Sequence, residues 1–222
     1  YIIKMNGILN LNRGLAILFL SLFAVLVKAE DLVLSSPNKR INVEVLLHDK
    51  IYYRVSLNNE VVLQASPITL TIDNNKLGES PLLLGTKLGS VNQKIKTVWG
   101  SRNEIKDEYT ELVLNFKGNY SLAFRAYDTG VAYRFITRIN RKQVVVNDEE
   151  VAYRFNLGVS AWLLDTASYE TNYRKEHLDI KEITDFRNID RKLYLPAFVQ
   201  ATPKVKIAIT EADLYDYPSL FL

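Results

Sequence analysis

Three groups of carboxylates could do chemistry by type, although none forms a convincing catalytic pair. They are Glu104 with Asp107 and Glu108, Asp148 with Glu149 and Glu150, and Glu211 with Asp213 and Asp216. Two carboxylates facing one bond can act as acid and base. The first two groups read instead as solvated loop charges, the ordinary fate of a charge cluster. Glu211 differs in place: it follows a strand-like stretch, 205–209, and precedes Asp213. A strand end is where loops build sites, although a surface acid is the commoner use of such a residue. Trp162, Tyr169, Glu170 and Tyr173 lie in a stretch without clear period. Aromatic rings of this kind either fill a core or form an exposed platform, and burial is the more frequent. With no Cys, disulfides, thiol catalysis and Cys-based zinc sites are excluded. Only His48 and His177 could supply imidazole, too few for a His-rich metal site.

Strands must position these residues. The segment 124–135 reads FRAYDTGVAYRF. Leu122, Phe124 and Ala126 alternate with Ala123 and Arg125, the period of a half-buried strand. Asp128-Thr129-Gly130 supplies turn chemistry, with Gly130 expected at positive φ. Val131, Tyr133 and Phe135 resume the alternation against Ala132 and Arg134, which predicts a central β-hairpin. Residues 41–45 and 51–57 predict a first hairpin around His48-Asp49-Lys50. Asn58-Asn59 turns into 61–63, Ser66-Pro67 is expected to break that strand, and Ile68, Leu70 and Ile72 to open another. Residues 82–84 and 87–93 are weaker strand candidates, 101–109 reads as a charged loop, and 111–116 as a strand. Residues 144–146 and 151–155 read as strands separated by an acidic turn, 147–150. Leu178, Ile183, Phe186 and Ile189 fit one face of a short helix or a long loop. Residues 193–198 and 205–209 return to strand character. Many short strands with regularly spaced turns imply an all-β fold, a large antiparallel β-sandwich. No closing element precedes Leu222, so the sandwich reads as incomplete at its C-terminus.

The 222 residues carry 28 Lys and Arg against 25 Asp and Glu, scattered among one another. That excludes the clustered positive charge of a nucleic-acid footprint. An apolar fraction of 48% supports a core and excludes disorder. Near the start, Lys4 and Arg13 occur without acids, and 15–27 is apolar apart from Ser21. Val27-Lys28-Ala29 then places small residues where a signal peptidase cuts. The run is shorter than the ~20 residues a membrane span needs. Residues 1–29 are therefore read as a secretory signal whose natural start is Met5. Residues 30–222 are read as an exported domain, secreted or periplasmic. Without a Cys it has no lipid anchor, and it leaves the membrane once the signal is cut.

Several segments, in order, resemble the amino-terminal domain of glycoside hydrolase family 97, a family of bacterial α-glucosidases and α-galactosidases. The central hairpin is similar to its "R-x-Y-D-x-G-x-A-x-R" segment. Ser35-Ser36-Pro37-Asn38 with the Tyr52-Tyr53 hairpin resembles its opening, although Asn38-Lys39 replaces the usual Asp-Gly. Val98-Trp99-Gly100 with Arg102 and Ile105 resembles "W-G-x-R-x-x-I". Trp162, Tyr169, Glu170 and Tyr173 resemble "A-W … Y-E-x-x-Y". Glu211-Ala212-Asp213-Leu214 with Asp216-Tyr217 resembles "E-A-x-L-x-D-Y". The stretch 175–192 does not align.

The resemblance implies a β-sandwich packed on a catalytic (β/α)₈ barrel that this chain lacks. The barrel would carry the catalytic carboxylates, so no catalytic residue is expected here. It implies a calcium ion beside those carboxylates, reached from the sandwich by Glu211. It implies a carbohydrate substrate, an α-linked glucoside or galactoside, with Trp162, Tyr169, Glu170 and Tyr173 as the candidate contacts. The same aromatic residues also fit a stand-alone carbohydrate-binding sandwich without activity, and a purely structural or adhesive sandwich stays open.

Overall fold

The computed structural model describes residues 32–98, 102–141, 143–165, 177–179, 193–212, 215 and 217. Its regular elements are all strands, paired antiparallel in three sheets. In the first sheet β1 (Val33–Ser35), β2 (Ile41–Leu47), β3 (Ile51–Leu57), β4 (Glu60–Ile72) and β10 (Val146–Val151) lie in that order, with β5 (Asn75–Leu77) also on β4. The second is a meander of β6 (Leu83–Lys96), β7 (Glu104–Phe116), β8 (Tyr120–Tyr127) and β9 (Gly130–Thr137). The third has the order β12 (His177–Asp179), β11 (Ser160–Asp165), β13 (Leu193–Thr202), β14 (Val205–Ile209). The all-β sandwich expected from the strand pattern is therefore the fold observed.

Alternation drives the packing, because successive side chains on a strand point to opposite faces. Ile41, Val43 and Val45 of β2 are buried, with intermediate residues between them. They share one core with Leu112, Leu114 and Phe116 of β7 and Leu122, Phe124 and Ala126 of β8. The rings of Tyr53, Phe124 and Tyr133 bind the two sheets, with centroids 5.5–6.0 Å apart. On the outer face Arg125 donates to Glu111 at 2.7 Å and lies 4.4 Å from the Tyr109 ring centroid. Ala132 stands across from Arg125 and Ala123 across from Arg134. Those alanines leave room for the two guanidinium side chains on either strand of the hairpin.

The turns differ in part from expectation. Gly130 is not left-handed. Asp128 Oδ1 instead accepts the Asn38 N–H at 2.9 Å, tying the central hairpin to the turn before β2. Asn58 and Asn59 do take φ of 51° and 68°, the mirror-image turn that suits strand twist. Gly78, at φ +89°, cannot be replaced cheaply: a Cβ there would lie 2.9 Å from the Ile68 carbonyl oxygen.

Three stretches expected to be a break, a loop and a turn are strand. Ser66-Pro67 does not break β4, which continues for 13 residues. The β3–β4 register is regular from Ser66 through Pro67 to Ile68 and shifts only before Ser66, while Ser66 Oγ donates to the Gln64 carbonyl at 2.8 Å and accepts the Arg154 N–H at 3.0 Å. The expected charged loop is, from Glu104 onward, half of a long ribbon with β6. Lys94 meets Glu104 at 2.9 Å, Asn92 donates to Glu108 at 2.7 Å and Gln93 to Asp107 at 2.9 Å. The expected acidic turn 147–150 is likewise strand β10, paired with β4 across a bulge after Val146. Of the expected helix face, Leu178 lies in the short strand β12, and Ile183, Phe186 and Ile189 fall outside the described residues.

Candidate functional site

Glu211 stands half-buried, two residues beyond the end of β14. That strand is held by Ile209, which is 7% exposed and packs with Ala161, Ala197 and Val199 in a core of the third sheet. The chain then returns toward the first sheet, where Tyr217 packs against the main core. Its hydroxyl donates to Glu149 Oε2 at 2.8 Å.

Glu149 corrects the view of its group as loop charges. It lies opposite Leu70 on β4, two residues before Val151, which lies opposite Ile68. Leu70 and Ile68 are buried, so Glu149 faces the interior from the edge strand of its sheet. Burial raises the Glu149 pKa; the Tyr217 hydrogen bond opposes that rise, and the charges of Glu211 and Asp148 add to it. Tyr153 is pushed up to about 12 by burial and by the same two carboxylates, Glu149 and Glu211. Tyr217 is raised as well, by burial, by its hydrogen bond to Glu149 and by the charges of Glu149 and Glu211. Tyr133, reaching in from β9, is raised by burial and then by Tyr153, Tyr53, Glu149 and Tyr217. The arrangement is one inward carboxylate, Glu149, among phenols held neutral, with the charge of Glu211 acting on it and on two of them. The adjacent Glu150 is a plain ion pair with Lys50 at 2.6 Å.

Trp162 lies in the third sheet. On β11 it sits opposite Phe198 of β13, which in turn sits opposite Ala208 of β14. Its neighbours Ala161 and Val199 point into the core, so Trp162 and Phe198 face outward, Phe198 being 45% exposed. Lys206 Nζ lies 5.1 Å from the Trp162 ring centroid. Tyr169, Glu170 and Tyr173 fall outside the described residues. Among the described residues no three acidic or His side chains converge as a complete metal site.

Sequence reasoning missed Glu149, Tyr153 and Phe198. A signal for the first two was present: Glu149, Val151 and Tyr153 fall on one parity and so on one strand face. Reading 147–150 as a turn hid it.

Residues 34–222 match the family model described as "Glycosyl-hydrolase 97 N-terminal". A retaining alpha-galactosidase of Bacteroides thetaiotaomicron is 31% identical over 201 residues, covering 87% of this chain and 30% of the relative. A glycoside hydrolase family 97 enzyme of Pseudoalteromonas sp. strain K8, solved in complex with acarbose, superposes with a TM-score of 0.74 at 20% identity, covering 85% of this chain and 30% of that one. A beta-arabinopyranosidase superposes with a TM-score of 0.63 at 17% identity, over 79% of this chain and 30% of that one. The chain thus spans less than a third of the length of these relatives. Strand order, the outward arginines of the central hairpin and the match along 34–222 point one way, and the chain belongs to glycoside hydrolase family 97, as its amino-terminal domain.

Proposed function

We propose that this domain is the accessory module of an exported, calcium-dependent α-glycosidase, packed on a catalytic barrel carried by a longer polypeptide. Glu211 donates a carboxylate across that interface to a calcium ion. Tyr169, Glu170 and Tyr173, with Trp162, border the sugar. The substrate class, α-linked galactosides or glucosides, follows the alpha-galactosidase relative and the acarbose-bound structural neighbour.

The observation that carries this reading is the position of Glu211 at a strand end, in the field of the inward Glu149. Calcium is bound by six to eight oxygens, carboxylates among them. Glu211 fits in donor type, and a cation beside it would relieve the repulsion it shares with Glu149. The chain offers part of a ligand shell, and a barrel must complete it. Bound calcium would supply a fixed positive charge beside the barrel's carboxylates. Glu211 itself holds the sandwich to that point.

The test is calcium titration of the longer polypeptide by calorimetry, with turnover measured alongside. Glu211→Gln is expected to weaken calcium affinity at least tenfold and to lower turnover with it. Wild-type values for both would make Glu211 an ordinary surface acid.

A second reading, a stand-alone carbohydrate-binding sandwich, is favoured by the outward pair Trp162 and Phe198. Titration with maltooligosaccharides and galactosides decides it: binding lost on Trp162→Ala supports it, and absence of binding by the wild type removes it.

A further inference from the structure

We infer that the hydrogen bond from Tyr217 to Glu149 is a latch that fastens the segment after β14 onto edge strand β10 and sets the position of Glu211. The functional weight of the latch rests on the proposed role of Glu211, but the latch itself is a property of this fold.

An inward carboxylate at a sheet edge is costly to hold without a partner. Tyr217 Oη supplies one at 2.8 Å, as a charge-assisted bond of the stronger class. The bond joins residues 68 positions apart in the chain. Between Ile209 and Tyr217 the chain leaves the third sheet and reaches the first. Ile209 anchors one end of that crossing in a buried core, and Tyr217 anchors the other against the main core. Glu211 lies on the crossing between the two anchors. Its charge acts on Glu149, Tyr153 and Tyr217 alike, the two partners of the latch among them. Tyr217 and Glu149 bond to one another, which makes them positioning residues for Glu211. Without that bond the segment loses a tie to β10, and the Glu211 carboxylate is held in place less tightly. Ordering it on each binding event would then cost affinity.

Hydrogen exchange and calcium titration on the full-length exported protein test this together. Tyr217→Phe keeps the ring in the core and removes only the donor. It is expected to speed exchange of the amides of 210–212 about tenfold, leave those of β8 unchanged, and weaken calcium binding several-fold. Glu149→Ala should do the same, and Glu149→Gln, which keeps an acceptor oxygen, should retain both properties. Unchanged exchange at 210–212 in Tyr217→Phe overturns the latch. Faster exchange with wild-type calcium affinity overturns its positioning role. If exchange responds as expected but Glu211→Gln binds calcium like the wild type, the latch stands and the assignment of Glu211 falls.

Discussion

Glu149 has its carboxyl group turned toward the sandwich interior, and loss of water there raises its pKa above the ordinary carboxylate value of 4.5. Tyr217 opposes the shift by donating to the ionised form, while Glu211 and Asp148 reinforce it. The other groups facing it, Tyr153 and Tyr133, have raised pKa values and stay neutral across the working range. The folded state therefore holds the Glu149 proton to higher pH than the unfolded chain does. Stability falls as pH climbs from the unfolded value through the raised folded value, and is flat above it. Glu149→Gln removes the charge and keeps an acceptor for Tyr217. In calcium-free buffer at pH 7 its melting temperature is expected to exceed the wild type by roughly 1–3 °C, the scale of a fraction of a kcal/mol to about 1 kcal/mol in a domain of this size. The difference should vanish below pH 4.5. A variant that melts lower at pH 7 would mean that the charged hydrogen bond from Tyr217 outweighs the loss of water.

Strands were legible where one face is dry and the alternation is unbroken. The β2–β3 and β8–β9 hairpins alternate apolar and polar residues because one face meets the core, and their bounds fall close to those read from the sequence. The β6–β7 ribbon gave no such signal, since water reaches almost every residue of β6. On β7, β8 pairs only from Tyr109 onward, so Glu104–Glu108 have β6 as their sole neighbour. There Ile95 and Ile105 face each other, each 47% exposed, and ion pairs replace apolar alternation. β10 was hidden for the opposite reason: an acid occupies an inward position, a departure from pattern of the kind that functional sites show. Glu211 was singled out by the motif that it shares with the family, the strand end before it being a weaker cue, and Tyr217 appeared only as part of that motif. These differences predict a contrast in stability. Phe124, fully buried, should lose about 3–5 kcal/mol on Phe124→Ala through lost burial and the cavity left behind. Ile105→Ala, at the wet ribbon, should stay within about 0.5 kcal/mol of the wild type. Urea denaturation of both variants checks this, and a large loss at Ile105 would show that the ribbon is packed against something in solution.

For the molecule as a whole, the sequence reading places export first: the mature protein should begin at Glu30, and mass spectrometry of secreted material checks it, a retained apolar amino terminus being the contrary result. What residues 30–222 can do alone follows from their carboxylates. Glycoside hydrolysis takes two carboxyl groups about 5–9.5 Å apart across the scissile bond, one of them protonated. Most described acids are already committed elsewhere. Glu104, Asp107 and Glu108 are bound along the β6–β7 ribbon, Glu111 by Arg125 at 2.7 Å, and Glu150 by Lys50 at 2.6 Å. The groove between Ile72, Leu77 and Tyr120 offers one carboxylate, Glu79, which Lys76 meets at 3.1 Å. Glu149 and Glu211 are the pair that comes closest to the requirement, and the raised pKa of Glu149 is what a general acid needs. Yet Glu149 is half-buried with its side chain on the core side of β10, and one of its oxygens is taken by Tyr217. Purified residues 30–222 are therefore expected to hydrolyse neither aryl α-glucosides nor aryl α-galactosides faster than a mock preparation. Turnover well above that background would place an acid–base pair within this chain, and Glu149→Gln and Glu211→Gln would be the first substitutions to show which residues form it.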